Sequence, residues 1–406
     1  MDRASAQTAP IPSCHRRGWR AGLVAGAALI LAGCAGMNLP SGSDFFSSAP
    51  PPPEPQATAP IGTGQIKVGL VLPVSAAGPA GQAGLSMRNA AEMALAEFNN
   101  PNIQLLVKDD GGSAQGAQSA VQQALDEGAE IVLGPLFAHS VSAAGQAARA
   151  RNVPVIAFST DSNVAARGVY LLSFLPESDV DRVISYAVSQ GKRSFVALLP
   201  DNAYGSVVEA ELKQTASRRG ARVMALERYS PGDQNRIQES ARLVAQSAGR
   251  ADAVFIADTG NEVASVARAL AGAGVDLKRL QPLGTGLWDD PAVFAEPLLH
   301  GGWFSAPDSA GFKAFAGRYR SRYNQEPVRT ATLAYDATAL VAALVKTQGP
   351  QRFADSVLTN PSGFAGVDGV FRFRPEGTNQ RALAVQRVTP QGGVVVSPAP
   401  KSFAGS

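Results

Sequence analysis

One stretch of the sequence, residues 130–162, reads EIVLGPLFAHSVSAAGQAARARNVPVIAFSTDS. The apolar run Ile131–Leu133 stops at Gly134-Pro135, where glycine permits unusual backbone angles and proline removes a hydrogen-bond donor. An alanine-rich stretch then favours a helix, and a second apolar run at 153–158 ends in small hydroxylic and acidic residues. The pattern predicts a strand–helix–strand unit whose strands end in loops that can bind a ligand.

The same alternation of apolar runs and helical stretches continues on both sides of this unit. Two series of similar length predict two lobes, each with a parallel, doubly wound sheet, and an α/β fold class. The predicted strands are 66–72, 103–107, 131–133, 153–158 and 169–174 in the first series, and 194–199, 222–229, 253–257 and 281–283 in the second. A Gly-rich loop at 73–84 and a helix at 85–98 follow the first strand. An antiparallel ending is predicted last, with a strand at 369–373 turning into 382–388.

The amino-terminal residues form a pattern of their own. Arginines precede an apolar run at 21–32, which is too short to span a bilayer, and the run ends in Leu-Ala-Gly-Cys at 31–34. Since this order is typical of a bacterial lipobox, we expect residues 1–33 to be a signal peptide and Cys34 to be the lipidated first residue. Residues 34–64 would then be the lipidated cysteine and a Pro-rich, disordered tether.

Charge and cysteine content restrict the function classes. The sequence has 36 basic and 33 acidic residues, and residues 1–33 hold four arginines and one aspartate, so the remainder is neutral with 32 of each. We therefore expect no nucleic-acid partner. Cys14 would leave with the signal peptide, so no cysteine nucleophile or cysteine metal site is expected. With only His139 and His300 remaining, we also expect no catalytic triad, no metal site and no cofactor.

Several segments, in the correct order over residues 66–390, resemble the type I periplasmic solute-binding proteins, and among these the leucine/isoleucine/valine binders. The segments are IKVGLVLP at 66–73, IVLGP at 131–135, PVIAFS at 154–159, DNAYG at 201–205 and the hairpin at 369–377. The resemblance implies two Rossmann-like lobes joined by three hinge crossovers, near 172–178, 303–307 and 366–369. Lobe 1 would comprise 65–175 and 306–366, lobe 2 would comprise 176–305 and 367–390, and 391–406 would be a tail.

The resemblance also implies that a small amino-acid-like ligand binds between the lobes. In the first lobe the implied ligand contacts are Phe137, His139, Ser140, Ser159, Thr160 and Asp161, which would meet an amino acid's carboxylate and amine. In the second lobe they are Tyr204, Asp258 and Thr259, and Trp288 and Asp289 are further candidates because they lie in a predicted cleft loop. Trp288 has a second interpretation, because tryptophans of this kind more often pack in a core or hinge.

One position departs from the family pattern. An α-amino group buried in a cleft needs a carboxylate partner, because an unpaired buried charge is costly. The family supplies an acid in the loop that here reads GTGLWDD at 284–290, and Gly286 stands at the acidic position. Asp289 or Asp161 would have to substitute for it. Loss or change of the ligand is the interpretation that this departure favours.

A second resemblance is to the penicillin-binding-protein activator lipoproteins, which share this fold. The lipobox, the Pro-rich tether, GPL at 134–136, NVPV at 152–155 and the segment 170–181 carry it, and it covers only the carboxyl-terminal module of that group. It implies a non-enzymatic lipoprotein, anchored on the periplasmic face of the outer membrane, whose partner is a peptidoglycan synthase. The alternative is the substrate-binding component of an ABC transporter for branched-chain or other amino acids.

An enzyme is not expected, because the sequence has no nucleophile elbow and no P-loop. The adjacent acids Asp109-Asp110 and Asp289-Asp290 follow predicted strands. We interpret both pairs as solvated capping residues and not as catalytic carboxylates.

Overall fold

The structure is a computed structural model that describes residues 59–99 and 101–403. The predicted signal peptide, Cys34 and the tether up to residue 58 lie outside the described residues. The described chain forms an α/β fold with two lobes, each built on a mostly parallel sheet, which confirms the predicted fold class.

The first lobe contains a five-stranded sheet flanked by helices. Its first elements are β1 (Ile66–Leu72), α1 (Pro79–Glu97), β2 (Ile103–Asp109), α2 (Ala114–Asp126), β3 (Ile131–Leu133), α3 (Ala138–Arg149), β4 (Val155–Ala157) and β5 (Val169–Leu171). The strand order is β2-β1-β3-β4-β5, and all neighbours are parallel. Most strand residues are buried, because helices cover both faces, and this explains why the strands are continuous apolar runs.

The second lobe repeats this architecture. It contains α4 (Pro176–Ser189), β6 (Ser194–Pro200), α5 (Ala203–Arg218), β7 (Arg222–Tyr229), α6 (Gln234–Ala248), β8 (Ala253–Ile256), α7 (Gly260–Gly272), β9 (Gln281–Gly284), α8 (Pro291–Phe294) and β10 (Trp303–Ala306). Every pair of adjacent strands within β6 to β10 is parallel. Apolar residues from both faces of the sheet pack against the helices in two clusters.

The chain then returns to the first lobe before it finishes in the second. The returning elements are α9 (Ser309–Tyr323), α10 (Ala331–Thr347), α11 (Asp355–Leu358), β11 (Phe364–Gly366), β12 (Gly369–Phe373) and β13 (Asn379–Arg381), and the last two strands are β14 (Ala384–Thr389) and β15 (Gly392–Ser397). Strands β11 to β13 form a small antiparallel sheet. Strands β14 and β15 extend the second-lobe sheet, giving the order β15-β14-β10-β9-β8-β6-β7. The lobes are therefore joined at 172–175, 307–308 and 382–383.

The third crossover lies later in the chain than predicted. Residues 367–381 belong with the first lobe, because Phe371 and Phe373 pack in the same apolar cluster as Val68 and Leu133. The predicted pairing of 369–373 with 382–388 is wrong for the same reason: β12 pairs with β13, and Phe371 faces Arg381. The segment predicted as a tail contains β15, a strand of the second-lobe sheet.

Two local features explain where elements begin and end. Helix α1 starts at Pro79, six residues before the predicted start, because proline is favoured at the first helical position. At the end of β3, Gly134 has φ of +96°, and a Cβ atom there would lie 2.0 Å from the carbonyl oxygen of Val71. Glycine is thus required at this turn, as the sequence predicted.

Candidate functional site

The carboxyl ends of both parallel sheets face the opposite lobe. The chain passes from the end of β5 into α4 of the second lobe, and from the end of β10 into α9 of the first lobe. Loops that follow parallel strands lie at this carboxyl edge of a sheet. The loops that carry the predicted ligand residues therefore flank the cleft between the lobes.

The residue before α3 and the first turn of α3 present aromatic side chains at the first-lobe wall. The rings of Phe137 and His139 are stacked, with centroids 5.9 Å apart and planes 9° apart. His139 is exposed, and its Nε2 lies 2.9 Å from the carbonyl oxygen of Gly112. Ser140 is 0% exposed and its hydroxyl has no partner among the described residues. The Ser140 side chain thus lies inside the lobe, and its predicted contact with a ligand is not available in this arrangement.

The loop after β4 is organised by its own side chains. The Ser159 hydroxyl accepts a hydrogen bond of 3.1 Å from the backbone N–H of Asp161. One carboxylate oxygen of Asp161 accepts hydrogen bonds from the backbone and side-chain nitrogens of Asn163, at 3.0 and 2.9 Å. Asp161 therefore caps the short 3-10 helix Ser162–Val164. Thr160 is exposed and its hydroxyl makes no hydrogen bond within the described residues, so it is free to meet a ligand.

Asp109 and Asp110 end β2 at the same edge. Asp109 accepts hydrogen bonds from the backbone N–H groups of Ser75 and Gly111, at 3.2 and 3.0 Å, and so acts as the predicted cap. Asp110 differs from the prediction, because it is only 1% exposed. Burial raises its pKa to about 6, although a hydrogen bond from Gly112 N opposes this.

In the second lobe, Tyr204 projects from the start of α5 towards the loop after β9. Its hydroxyl lies 2.8 Å from Oγ1 of Thr285, which is fully buried. Burial raises the pKa of the Tyr204 phenol, so the hydroxyl stays protonated throughout the physiological range. Thr285 therefore holds the neutral Tyr204 hydroxyl from inside the lobe.

Asp258 is committed to contacts within the second lobe. One of its carboxylate oxygens accepts a 2.7 Å hydrogen bond from the hydroxyl of Tyr229, and the other accepts a 2.7 Å hydrogen bond from the backbone N–H of Thr259. It is 7% exposed. Thr259 is exposed and precedes the first residue of α7. Asp258 therefore orients the loop, and Thr259 is the residue of this pair with a surface that a ligand can reach.

Trp288 is a core residue. It is 0% exposed, it packs in the second-lobe apolar cluster, and its indole N–H donates a 2.9 Å hydrogen bond to the carbonyl oxygen of Ile256. The prediction that Trp288 lines the cleft is wrong, because its ring is buried against Gly284 of β9. The core interpretation of this tryptophan is correct.

Asp289 lies at the rim of the cleft and faces cations of the first lobe. Surrounding protein raises the pKa of its carboxyl, while Arg329 and Lys313 lower it. Both cations belong to the part of the chain that returns to the first lobe, so their field reaches Asp289 across the cleft. Neither Asp289 nor Lys313 has a side-chain hydrogen bond or ion pair to any described residue, and both are exposed.

Asp179, which is not among the predicted ligand residues, supplies a carboxylate beside Gly286. Asp179 lies in the first turn of α4, directly after the first crossover. Its Oδ2 accepts a 3.2 Å hydrogen bond from the backbone N–H of Gly286, and its Oδ1 lies 3.3 Å from the hydroxyl of Ser305. A Cβ atom at position 286 would lie 3.2 Å from that Oδ2. Gly286 thus leaves room for an acid that comes from another element.

The electrostatics of Asp179 suit an ion-binding group. Desolvation raises its pKa to about 7, against the hydrogen bonds from Gly286 and Ser305 and the charge of Arg381, which lower it; nearby Glu177 raises it further. Desolvation disfavours the ionised form of this carboxyl. A nearby cation would therefore stabilise it strongly, because an opposite charge favours the ionised form. The sequence signal was the pairing of a first-turn acid with a glycine at the family's acidic position.

Within residues 59–99 and 101–403, no hydrogen bond joins the cleft loops of one lobe to those of the other. The same part of the chain holds no cluster of three or more His, Cys, Asp or Glu side chains arranged to bind a metal ion. None of the helices in these residues has the length and apolar character needed to cross a membrane.

The architecture and the position of this cleft agree with what the sequence matches. Residues 65–393 match the sequence model of the periplasmic binding proteins. The chain belongs to the periplasmic binding protein family. The expectation of a binding protein and not an enzyme is thereby confirmed.

Solved structures share the fold of this binding protein at low sequence identity. A protein from Rhodospirillum rubrum, assigned to branched-chain amino acid ABC transport, has a TM-score of 0.70 and 20% identity over 82% of this chain and 99% of that one. LivJ from Streptococcus pneumoniae, in complex with isoleucine, has a TM-score of 0.57 and 21% identity over 82% and 99%. These similarities establish the fold of the binding protein.

A curated relative of the binding protein is an uncharacterised protein of Rickettsia prowazekii. It is 21% identical over 184 residues, which are 45% of this chain and 48% of that protein. The match therefore spans about half the length of the curated relative. It adds no information on the solute.

Proposed function

We propose that this binding protein captures a small solute with an ammonium group, of the amino-acid class, between its lobes and delivers it to an ABC transporter. The observation that carries the proposal is the carboxylate of Asp179, held against Gly286 at the second-lobe wall. Gly286 stands where the family has an acid, and Asp179 brings a carboxylate to that place from another element. The transporter hypothesis therefore takes precedence over the regulator hypothesis that the sequence alone favoured.

A buried ammonium ion needs both a counter-charge and hydrogen-bond acceptors. Asp179 supplies the charge, and the hydroxyl of Tyr204, held 2.8 Å from Oγ1 of buried Thr285, supplies an acceptor on the same wall. Asp161 and Asp258 are less suited, because the first caps a 3-10 helix and the second has both oxygens occupied. Asp289 lies at the rim, where first-lobe cations compete for it.

The first-lobe wall offers groups that suit a carboxylate. Helix α3 begins at Ala138 with its amino end at the carboxyl edge of the sheet, where backbone N–H groups and the helix dipole favour anions. Thr160 adds an exposed hydroxyl from the neighbouring loop. An α-amino acid carries both of the complementary groups. LivJ, which shares the fold, was solved with isoleucine, and this supports the same class of ligand.

The test is calorimetric titration and thermal unfolding with L-leucine and two analogues that each lack one charge. We expect leucine to bind, and 4-methylvalerate and isoamylamine to bind more weakly. At a hundredfold excess over the dissociation constant, the ligand should stabilise the folded protein by about 2.7 kcal/mol. Asp179→Asn should abolish leucine binding, whereas Asp289→Asn, a control at the rim, should weaken it by no more than about fivefold. Equal binding of 4-methylvalerate and leucine would contradict the role of Asp179.

A second candidate function is regulation of a peptidoglycan synthase by a lipoprotein anchored through Cys34 on the periplasmic face of the outer membrane. The lipobox at 31–34 and the Pro-rich stretch before residue 65 favour it. Mass spectrometry of membrane-extracted protein tests the anchor, which Cys34→Ala should remove. Capture of a penicillin-binding protein by the anchored chain, together with no thermal shift from any amino acid, would favour the regulator over the transporter component.

A further inference from the structure

The segment that follows the last strand leaves the second lobe and reaches the first. Strand β15 pairs with β14 up to Ser397, which faces Val385 in the second-lobe sheet. We call the next six residues, 398–403, the carboxyl-terminal strap. Its last residue, Phe403, is 6% exposed and contacts β12 and the turn before β11, which belong to the small antiparallel sheet of the first lobe. The strap thus connects the lobes in addition to the three crossovers.

The first-lobe end of the strap is held by contacts to one aromatic ring. The guanidinium of Arg372 in β12 lies 4.6 Å from the centroid of the Phe403 ring. Arg372 is itself fixed, because its Nε donates a 2.9 Å hydrogen bond to Gln380 and its Nη1 donates a 3.0 Å hydrogen bond to the carbonyl oxygen of Pro361. Gly363 has φ of +74°, and a Cβ atom there would lie 3.0 Å from the Phe403 ring. The ring therefore lies directly against first-lobe backbone.

The second-lobe end of the strap is held by Arg182 of α4. The Nη2 of Arg182 donates hydrogen bonds to the hydroxyl of Ser397, at 2.7 Å, and to the carbonyl oxygen of Pro398, at 3.3 Å. Its Nε donates a 2.7 Å hydrogen bond to the carbonyl oxygen of Leu383 in the third crossover. One second-lobe side chain therefore ties the start of the strap and the third crossover to the same helix.

Between its two ends the strap borders a cavity of about 670 Å³ that both lobes line. Arg218 of α5 lines it from the second lobe, and Arg374, directly after β12, lines it from the first. Pro400 and Ser402 of the strap line the same cavity. The strap therefore bridges space that the two lobes leave between them.

We propose that the carboxyl-terminal strap is a tether that limits how far the two lobes can move relative to each other. Lobes of this kind move by hinge bending at a few residues of the crossovers. Six residues between fixed ends span at most about 20 Å, since an extended chain gains about 3.3–3.6 Å per residue. While Arg182 and Phe403 hold, this length bounds the separation of the two anchored points. The inference concerns the lobes without ligand and does not rest on the proposed function.

An insertion distinguishes a tether from simple packing of Phe403. Gly-Ser-Gly-Ser inserted between Pro400 and Lys401 leaves both anchors in place and lengthens the maximum span by about 13 Å. Phe403→Ala removes the first-lobe anchor, and Lys401→Ala, at an exposed strap residue, is the matched control. The readout is single-molecule energy transfer in the ligand-free full chain. The dyes are attached to non-natural amino acids that replace two exposed residues, Gln118 of α2 and Gln238 of α6.

We expect the insertion and Phe403→Ala to broaden the distribution of interlobe distances, and Lys401→Ala to leave the wild-type distribution. Urea unfolding should show near wild-type stability for the insertion, because lengthening a surface segment costs little, and lower stability for Phe403→Ala, which loses a buried ring. The insertion keeps the test decisive if Phe403→Ala does not fold. A folded insertion variant with the wild-type distance distribution would overturn the proposal, and Phe403 would then be only a packing residue of the first lobe.

Discussion

The backbone N–H of Gly286 donates a 3.2 Å hydrogen bond to the carboxylate of Asp179, and a Cβ atom at position 286 would lie 3.2 Å from the same oxygen. The two residues are 107 positions apart in the chain. The absence of a side chain at 286 and the presence of an acid at 179 therefore depend on each other. One makes room for the carboxylate, and the other supplies it.

Gly286→Ala should displace the Asp179 carboxylate and weaken leucine binding. Overpacking of this kind destabilises a structure by about 1–3 kcal/mol. We expect a loss of binding free energy, which calorimetry will show as a higher dissociation constant for leucine. The matched control is Gly272→Ala in α7, where a new Cβ atom meets nothing within 4 Å. The control should leave affinity unchanged and add about 0.5–1 kcal/mol to stability in urea unfolding. Unaltered leucine affinity in Gly286→Ala would show that the Asp179 carboxylate does not take part in binding.

Asp289 and Lys313 should form an ion pair when the lobes close. Both side chains are exposed and without partners in the described chain, and each lies in the field of the other across the cleft. Asp289→Lys should weaken leucine binding up to about fivefold, since exposed ion pairs contribute about 0.2–1 kcal/mol. The exchange variant Asp289→Lys with Lys313→Asp should restore most of the affinity.

The readouts for this pair are calorimetry and small-angle scattering of the ligand-bound protein. The effect should diminish at high salt, because the pair is exposed. A double exchange that binds as weakly as the single variant would show that the two charges do not meet in the closed state.

Asp336→Asn should change how stability depends on pH. Burial raises the pKa of Asp336 from 3.8 to about 7, despite the charge of Arg381, which lowers it. A raised folded-state pKa gives stability that is fully present below pH 3.8 and is lost as the pH rises through 7. The wild type should therefore lose this contribution between pH 5 and pH 8, and Asp336→Asn should not. Urea unfolding at both pH values measures the difference, which should favour the variant at pH 8.

The same sign applies to Asp179 and Asp110, whose pKa values are raised to about 7 and about 6. Both contribute to the wild-type slope and remain in Asp336→Asn, so the variant should reduce the slope without removing it. An identical pH slope in the two proteins would mean that Asp336 is not held in a desolvated site.

Trp288→Phe should destabilise the second lobe without changing ligand specificity. The substitution removes a buried donor from the carbonyl oxygen of Ile256 and reduces the volume of a fully buried side chain. A carbonyl left unsatisfied costs about 1–3 kcal/mol, which urea unfolding will detect. Leucine affinity at low temperature, where the variant is folded, should stay within about twofold of wild type. If the variant lost leucine binding but kept wild-type stability, Trp288 would have to contact the ligand in the cleft.

Much of the fold follows from the sequence because its signals are local. The apolar runs and their helical spacers predicted nine parallel-sheet strands, and all nine are present with small differences at their ends. The end of the chain was harder to predict. Whether 369–373 pairs with 379–381 or with 382–388 depends on which lobe buries Phe371 and Phe373, and no local pattern encodes that choice.

The site was predicted only in outline, since strand ends identify loops but not the directions of side chains. Tyr204 and Thr160 lie on cleft loops with groups that a ligand can meet, whereas Ser140 and Trp288 turn inward. Asp161 and Asp258 are occupied by hydrogen bonds that their own loops provide.

The sequence by itself determined the two-lobed α/β class, the order of strands and helices, and the edge of each sheet that faces the cleft. These features follow from apolar runs and helical stretches, which are patterns of consecutive residues. Only the tertiary structure decided that the Asp179 carboxylate lies against Gly286. The two residues come from distant segments of the chain. Their contact exists only as distance and burial in the folded chain, since a hydrogen bond between distant segments leaves no periodic pattern in the sequence.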